Sequence, residues 1–193
     1  MRITRVYTRQ GDQGMTRLGS SQEVSKSCQR VEAYGCVDEL NSAVGFVRAL
    51  LNEKPESLAP LDMQTVMADL DMLQNRLLTL GGDLATRLSD RWDGMPLINA
   101  AHTRELEVRL DQYNSELPPL EEFILPTGTA VVSALHLART ICRRTEREVI
   151  RLQENEDIGP DIIPFLNRLS DFLFVLARWI SRKSDCIETA WRR

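Results

Sequence analysis

Apolar residues recur every three or four positions along most of this chain. One such series runs from Val37 to Leu51 and is bounded by Pro55 and Pro60. A second series is more regular, with alternating steps of four and three residues: Val66, Leu70, Leu73, Leu77, Leu80 and Leu84. This spacing places the apolar side chains on one face of an α-helix, and the alternation is typical of helices that pack nearly parallel. Two long amphipathic helices are therefore predicted in the first half of the chain.

Three further helices are predicted in the second half. The first spans about residues 103–117, ending before a pair of prolines, and the next opens at residues 126–129 and continues to Leu152. Residues 155–160 interrupt the helical pattern, after which apolar positions recur at helical spacing over residues 162–180. Prolines, glycines and short polar residues at these interruptions are typical of turns. The chain therefore contains about five helical segments.

Alternation with a period of two, which indicates strands, is confined to residues 1–30, so no substantial sheet is expected. The length of 193 residues suits one domain with its own core. We predict an all-α fold, an up-and-down helical bundle of about five helices that occupies residues 1–193 as a single domain. Residues 1–30 form its N-terminal loop segment.

Composition and charge exclude several functional classes. The net charge of −4 argues against a sequence-independent nucleic-acid binder, which needs a surplus of cations. No apolar run approaches the length of a membrane span, and the first residues lack the apolar core of a signal peptide. The four cysteines are scattered without the spacing of a zinc site. A cytoplasmic protein without membrane or nucleic-acid partners is expected.

A glycine-containing segment near the N-terminus is the first candidate for chemistry. Gly11 and Gly14 lie three residues apart, and such glycines let backbone N–H groups turn toward an anion. The segment also offers hydroxyl donors, cations and one carboxylate: Thr8, Thr16, Arg9, Arg17 and Asp12. A plain turn is the more frequent meaning of such spacing taken alone, and a solvated side chain is the more frequent meaning of Lys26 downstream.

The fourth predicted helix carries a stripe of cationic and apolar side chains beside its apolar seam. At about 100° per residue, one face collects His136, Arg139, Arg143 and Arg147 together with Val132 and Ile150. Such a mixture suggests burial against another subunit or a ligand. Glu146 projects between the stripe and the core, where it could pair with an arginine. The alternative is a solvated face of Glu–Arg pairs, which fits Arg144, Arg151 and Glu148 well.

Two polar residues interrupt the start of the fifth helix. Asn167 and Ser170 lie three positions apart and share a face next to the core, where they could bond a ribose or a base. On spacing alone, polar groups at the helix surface are the favoured interpretation. The segment gains meaning only together with the others.

Taken in order, these segments resemble the ATP:cob(I)alamin adenosyltransferases of the PduO type. The similarity extends through nearly the whole chain, in five motifs that keep the family order. They are residues 7–14 (YTRQGDQG), residues 30–35 (RVEAYG) leading into 37–41 (VDELN), residues 123–126 (FILP), the arginine-rich helix, and residues 165–171 (FLNRLSD).

The resemblance implies a function and a set of ligands. Members of this family transfer the 5′-deoxyadenosyl group of ATP to cob(I)alamin, which forms adenosylcobalamin and releases triphosphate. The helical bundle is implied to assemble as a homotrimer, with ATP and corrinoid bound between neighbouring subunits and Mg²⁺ accompanying the ATP. A corrinoid reductase and an adenosylcobalamin-dependent enzyme are the implied protein partners.

The resemblance also implies roles for individual residues. The implied ATP-binding positions are Thr8, Arg9, Gln10, Gly11, Asp12, Gln13, Gly14, Met15, Thr16, Arg17, Lys26, Arg143, Arg144, Thr145, Glu146, Arg147 and Asn167. Arg143 and Phe123 are the implied catalytic residues, with Phe123 on the corrinoid side, and Asp38 with Arg139 matches a salt bridge across the subunit interface. No direct protein ligand of a metal is expected beyond ATP-bound Mg²⁺, which Asp12 or Glu146 could approach.

Two other functional classes stay open. One is a carrier that binds adenosylcobalamin and delivers it without making it, which would need the Phe123 side but not the N-terminal segment. The other is a non-catalytic helical protein whose arginine stripe binds an acidic partner, which would have no use for the N-terminal glycines. ATP binding and the formation of a cobalt–carbon product discriminate among the three.

Overall fold

Five α-helices dominate the computed structural model of the chain, which describes residues 9, 11–19 and 21–192. They are α1 (Gln29–Glu53), α2 (Pro60–Ala85), α3 (Ala100–Ser115), α4 (Ala130–Gln153) and α5 (Ile162–Lys183). A small antiparallel hairpin precedes them, with β1 (Met15–Arg17) paired to β2 (Glu23–Ser25) so that Met15 lies opposite Ser25. The prediction of an all-α bundle of about five helices is confirmed, and the hairpin falls within the segment where period-two alternation occurs.

The helices form a bundle in which α2 packs on α1, α1 on α4, α4 on α5, and α5 on α3, while side chains of α3 bond to α2. The six seam residues predicted on α2 are all buried. The largest fully buried side chains include Phe165 and Phe172 of α5, which is the most deeply buried helix of the bundle. Full burial of one large apolar side chain stabilises a fold by about 1.5–3 kcal/mol, so the buried side chains of all five helices together drive folding. Within the described residues, no helix is long and apolar enough to cross a membrane.

The start of α3 differs from its prediction by three residues. The helix begins at Ala100 because the side chain of Asn99 accepts a hydrogen bond from the Ala101 N–H (2.9 Å), while Nδ1 of His102 accepts one from the Asn99 N–H (3.2 Å). This reciprocal arrangement satisfies N–H groups that the first helical turn leaves unpaired. The usual capping sequence has Glu or Gln where this chain has His102, so the sequence pattern predicts the start of α3 three residues too late.

A buried polar cluster joins α2 to α3. The carboxylate of Asp69 is almost fully buried and accepts hydrogen bonds from the Tyr113 hydroxyl (2.7 Å) and from Arg109. Burial and the hydrogen bond to Asp69 raise the pKa of Tyr113, so its phenol keeps its proton and remains a donor. The Tyr113 ring also meets the edges of Phe172 and Trp179 on α5. The cluster thus holds α3 in place against two neighbouring helices.

Tyr113→Phe is expected to lower the free energy of unfolding by about 1–2 kcal/mol, because it removes a hydrogen bond to a buried carboxylate and leaves the ring packing intact. Urea denaturation monitored by far-ultraviolet circular dichroism measures the change. Tyr34→Phe is the matched control: it also removes a hydroxyl that bonds a side chain, that of Thr16, but both residues are only half-buried, so its effect should stay within about 0.5 kcal/mol. Equal effects of the two substitutions would contradict a stabilising role for the Asp69 cluster.

Candidate active site

The N-terminal glycine segment folds as a pair of tight turns that leads into β1. The Asp12 N–H donates to the Arg9 carbonyl (3.4 Å), and the Gly14 N–H donates to the Gly11 carbonyl (3.2 Å). Arg9 and Gly14 adopt positive φ angles of 61° and 79°. At position 14, glycine avoids the backbone strain that a residue with a side chain would have at this φ angle. Asp12, Gln13, Gly14 and Arg17 are exposed, whereas Met15 and Thr16 are half-buried. Thr8 and Gln10 of the predicted set lie outside the described residues.

The hairpin brings Lys26 back onto this turn. The Lys26 N–H donates to the Gly14 carbonyl (2.8 Å), and the Lys26 side chain lies over Gly11. A Cβ atom added to Gly11 would stand 2.9 Å from the Lys26 ammonium nitrogen, which is closer than a real contact allows. An ammonium group and a glycine turn that are fifteen residues apart in the chain thus form one largely exposed surface, here called the glycine turn (residues 11–14 with Lys26).

The hairpin is seated on the C-terminal end of α2. Leu18 is buried, and the Gly19 N–H donates to the Ala85 carbonyl (3.0 Å). The neighbouring Leu84 carbonyl accepts from the buried guanidinium of Arg30 (2.6 Å), which also binds Glu156 in the loop after α4. The last carbonyl groups of a helix need such partners. The sequence motif at residues 30–35 contains Arg30 but does not predict that its side chain joins the end of α2, on which the hairpin lies, to Glu156.

The exposed arginines of α4 lie beside a contact between α4 and α5. Arg143 and Arg147 are exposed, and Nη1 of Arg147 donates to the Arg143 carbonyl (3.1 Å). Glu146, which was expected to pair with an arginine, instead accepts a hydrogen bond from Nδ2 of Asn167 on α5 (3.1 Å). Four predicted site residues therefore lie close together, here called the arginine face (Arg143, Glu146, Arg147 and Asn167). Ser170 is buried rather than at the helix surface, and its hydroxyl donates to the Asn167 carbonyl within the helix (2.9 Å).

Two residues of the predicted ATP-binding set face elsewhere. Thr145 is fully buried between α4 and α1, and its hydroxyl lies 3.1 Å from the Cys36 carbonyl and 3.0 Å from the Ile141 carbonyl. This placement corrects the expectation that its side chain contacts a nucleotide. Arg144 forms an ion pair with Glu39 of α1, across two helices, whereas Arg151 and Glu148 form the pair at helical spacing that the alternative predicts. The Arg144 guanidinium is committed to joining the two helices.

His136 and Arg139 continue the stripe toward the start of α4. His136 is almost fully buried, and the Arg139 guanidinium carbon lies 5.9 Å from the ring centre of Phe174 on α5. Burial and the charge of Arg139 lower the pKa of His136, so its imidazole is neutral at physiological pH. Among the described residues, neither His136 Nδ1 nor Arg139 Nε has a hydrogen-bond partner. Asp38 is exposed on α1 and forms no ion pair with Arg139 within that part of the chain.

Phe123 lies on a short segment that the C-terminal tail pairs with. Its side chain is 76% exposed, and its ring meets the edge of the Trp191 ring at a centroid distance of 6.5 Å. The Trp191 N–H donates to the Phe123 carbonyl (2.7 Å), and the Leu125 N–H donates to the Thr189 carbonyl (2.8 Å). A groove of about 690 Å³ lies between residues 120–123 and 190–192. Trp191 was not predicted, since nothing in the tail's local pattern indicates this pairing.

The three parts of the candidate site are separated within one chain. Arg143 lies thirteen residues into α4, about 20 Å along the helix from the end that follows the Phe123 segment. The glycine turn precedes α1, whereas the Arg144–Glu39 pair lies about 15 Å along that helix from its first residue. No hydrogen bond or ion pair links the glycine turn to the arginine face in the described ranges.

The residues seen in the structure do not form a dedicated metal cage. Across residues 9, 11–19 and 21–192, no group of three or more His, Cys, Asp or Glu side chains could hold a metal ion. Asp12 is exposed on the glycine turn, and Glu146 lies in the arginine face. One or two carboxylates suit a magnesium ion that is bound mainly by substrate phosphates and water. This donor set fits an ion that arrives with a nucleotide.

Comparison with known proteins gives concordant matches over almost the full length. A family model described as cobalamin adenosyltransferase matches residues 6–180. A corrinoid adenosyltransferase of Bacillus subtilis (strain 168) is 38% identical over 189 residues, which cover 98% of this chain and 93% of the relative. The corrinoid adenosyltransferase MMAB of Homo sapiens is 39% identical over 185 residues, covering 94% and 71% of the two chains.

Solved structures agree with these sequence matches. A variant PduO-type ATP:corrinoid adenosyltransferase from Lactobacillus reuteri, complexed with cobalamin and ATP, has a TM-score of 0.89 at 38% identity and covers 98% of this chain and 100% of that one. Another variant from the same organism, complexed with ATP, has a TM-score of 0.86 at 37% identity, with 97% and 100% of the chains covered. The similarity therefore includes both the fold and the order of the motifs.

Proposed function

The chain belongs to the cobalamin adenosyltransferase family, and we propose that its glycine turn and arginine face hold the triphosphate of ATP while the Phe123 segment receives the corrinoid. The reaction transfers the 5′-deoxyadenosyl group of ATP to cob(I)alamin, forming adenosylcobalamin and releasing triphosphate. The observation that carries the residue assignment is the position of the Lys26 ammonium directly over Gly11. An ammonium group held at an exposed glycine turn is suited to bind phosphate oxygens.

The chemistry explains which side chains the site needs. The nucleophile is Co(I) of the substrate, whose electron pair forms the Co–C bond while the bond from C5′ to the triphosphate oxygen breaks. The triphosphate leaves with that electron pair and gains negative charge. The protein must therefore align the reactants and stabilise the leaving group, and it needs no nucleophilic serine or cysteine of its own.

Each part of the site has a role in this reaction. The guanidinium groups of Arg143 and Arg147 stabilise the phosphate oxygens, since charge-assisted hydrogen bonds to phosphate are the strong ones. The hydrogen bond from Asn167 holds Glu146 in place beside them. Magnesium bound to the triphosphate would neutralise part of its charge, and Asp12 is the exposed carboxylate on the glycine turn that could approach it. Phe123 and Trp191 offer an aromatic surface for the corrinoid.

A homotrimer is part of the proposal, because one chain separates the three parts of the site. Arg139 is half-buried, and its buried Nε has no hydrogen-bond partner among the described residues, so Asp38 of a neighbouring copy would supply the missing ion pair to its guanidinium. Phe46 of α1 and Leu137 of α4 are both 55% exposed. Arg144 of α4 lies opposite Glu39 of α1 in an antiparallel pair of helices. Phe46 follows Glu39 by seven residues and Leu137 precedes Arg144 by seven, so these two apolar side chains lie at the same height along the helix pair. Apolar surface next to an unpaired arginine fits a subunit interface.

The cellular setting of this activity is a further element of the proposal. A cytoplasmic location agrees with four cysteines that are all free, since reducing compartments keep thiols reduced. The chemistry also requires a corrinoid reductase to supply Co(I) and an adenosylcobalamin-dependent enzyme to use the product. An anaerobic assay with chemically reduced cobalamin and MgATP tests the function directly. Formation of a Co–C product together with free triphosphate is expected, and corrinoid binding without product would favour the carrier.

Gly11→Ala is expected to raise KM for ATP about fivefold, equivalent to about 1 kcal/mol, because the new Cβ would displace the Lys26 ammonium from the glycine turn. The melting temperature should stay unchanged, since the group that moves is the end of a flexible side chain. Steady-state kinetics of Gly11→Ala, Lys26→Ala and the double variant measure the coupling. The double variant should match Lys26→Ala alone, and additive losses would show that the two residues act independently.

A further inference from the structure

One arginine of α5 is buried in a helix that is otherwise apolar over this stretch. Arg178 is only 5% exposed, and its neighbours Ala177, Trp179 and Ile180 are all buried. Its Nε donates to Oε1 of Glu188 (2.9 Å) and its Nη2 donates to Oε2 of the same carboxylate (3.3 Å). The same Nη2 also donates to the Pro118 carbonyl (3.2 Å). A single guanidinium thus binds two segments that lie outside the helices.

The segment that begins at Pro118 carries Phe123, and the C-terminal tail that contains Glu188 carries Trp191. The chain leaves α5 through Asp185, whose φ of 51° reverses its direction, and the Cys186 N–H donates to the Ser181 carbonyl (2.9 Å). The tail then pairs with residues 123–125 through the backbone hydrogen bonds described above. The bond between Pro118 and Arg178 holds one segment at its start, and the bond between Glu188 and Arg178 holds the other near its middle.

We propose that Arg178 is a positioning residue that sets where Phe123 and Trp191 stand relative to the bundle, and thereby shapes the corrinoid side of the site. The inference rests on the proposed role of the Phe123 segment. Through Arg178, both aromatic side chains are tied to the most deeply buried helix and not only to each other. Loss of this tie lets the two segments move relative to the bundle, so the backbone hydrogen bonds between them open more often.

The chemistry of the side chain supports this role. A buried charge costs desolvation that an apolar residue at the same helical position would avoid, so packing alone does not account for arginine here. The planar guanidinium presents five N–H donors in a fixed fork, which allows it to chelate one carboxylate and still reach a carbonyl. A lysine would keep the positive charge but bind as a single point. Comparing arginine with lysine at position 178 therefore separates the effect of the positive charge from the effect of joining Glu188 to Pro118.

The test compares Arg178→Lys and Glu188→Gln with the wild-type protein. We expect KM for cob(II)alamin or cob(I)alamin to rise at least fivefold. The fraction of bound Co(II) that is four-coordinate, with no lower axial ligand, should fall by half or more in the electron paramagnetic resonance spectrum. KM for ATP should stay within twofold, because the glycine turn and the arginine face are untouched. Amide exchange of the Leu125 and Trp191 N–H groups, measured on the protein without ligands, should accelerate while the exchange of core amides stays unchanged.

Glu116→Gln is the matched control, since Glu116 also pairs with a cation of α5, Lys183, at the end of α3 (3.0 Å). It should leave the corrinoid parameters and the exchange of the two reporter amides unchanged. Unchanged corrinoid parameters in both Arg178→Lys and Glu188→Gln would overturn the proposal, as would equal losses for ATP and corrinoid together with faster exchange throughout the bundle. If the wild-type protein formed no Co–C product, the proposed function would fail instead, and the amide-exchange comparison would still decide whether Arg178 holds the two segments.

Discussion

Arg143→Ala is expected to lower kcat/KM for ATP at least tenfold, which corresponds to about 1.4 kcal/mol of lost transition-state stabilisation. Arg143 is exposed on α4, and its side chain forms no ion pair within the described residues, so its guanidinium is available to a ligand. The departing triphosphate gains charge as the C5′–O bond breaks, and a fixed cation stabilises that charge more in the transition state than in the ground state. Anaerobic steady-state kinetics with excess cob(I)alamin measure the change.

Two comparison variants make this result specific. Arg151→Ala removes an arginine of the same helix that pairs with Glu148, and its kinetics should stay within twofold of the wild type. Arg143→Lys keeps the charge but loses the paired donors of the guanidinium, so an intermediate loss is expected. Wild-type kinetics in Arg143→Ala would remove this residue from the mechanism and leave leaving-group stabilisation to Arg147, Lys26 and the bound magnesium.

Phe123→Ala is expected to slow the formation of adenosylcobalamin from cob(II)alamin and a reductant at least tenfold, about 1.4 kcal/mol, while KM for ATP changes less than threefold. The Phe123 ring is mostly exposed and stacks edge-on with Trp191, as an apolar wall for a planar macrocycle requires. Such a wall keeps the lower axial ligand away from cobalt. A four-coordinate Co(II) lacks the donor that raises its acceptor orbital, so it is reduced more easily.

Spectroscopy distinguishes this role from a general loss of corrinoid binding. The electron paramagnetic resonance spectrum of Phe123→Ala with cob(II)alamin and MgATP should lose most of its four-coordinate signal. Trp92→Ala is a suitable control, because Trp92 is also an exposed aromatic residue (59%) but lies in the loop between α2 and α3. A full four-coordinate signal in Phe123→Ala would count against the role of the ring.

The helices were largely predictable because a helix exposes its packing face through local spacing alone. Every seam residue predicted on α2 is buried, as are the apolar positions predicted on α5. The start of α3 was missed because it depends on a cap in which His102 takes the place of a glutamate or glutamine. The hairpin was too short to predict as sheet, and it is held by the end of α2 through Gly19 rather than by its own strands alone.

Individual site residues were less predictable than the motifs that contain them. The arginine-rich stretch was recognised as a unit, yet Thr145 within it is a core residue and Arg144 pairs with α1. Helical periodicity states which side chains share a face, but not which neighbouring helix covers that face. The roles of the exposed residues in ATP and corrinoid binding therefore remain proposals that the substitutions above test.

Helical spacing was enough to predict the five-helix bundle, because each amphipathic helix shows its packing face locally. The family and its reaction were predicted from a resemblance carried by five motifs in order, since order along the chain is also visible in the sequence. The contacts that shape the site depend on side chains brought together from distant positions. Glu146 meets Asn167 twenty-one residues away, and Arg178 meets Pro118 sixty residues away. Such pairs form only when helices pack at particular angles and loops return to the bundle, and no local pattern encodes that geometry.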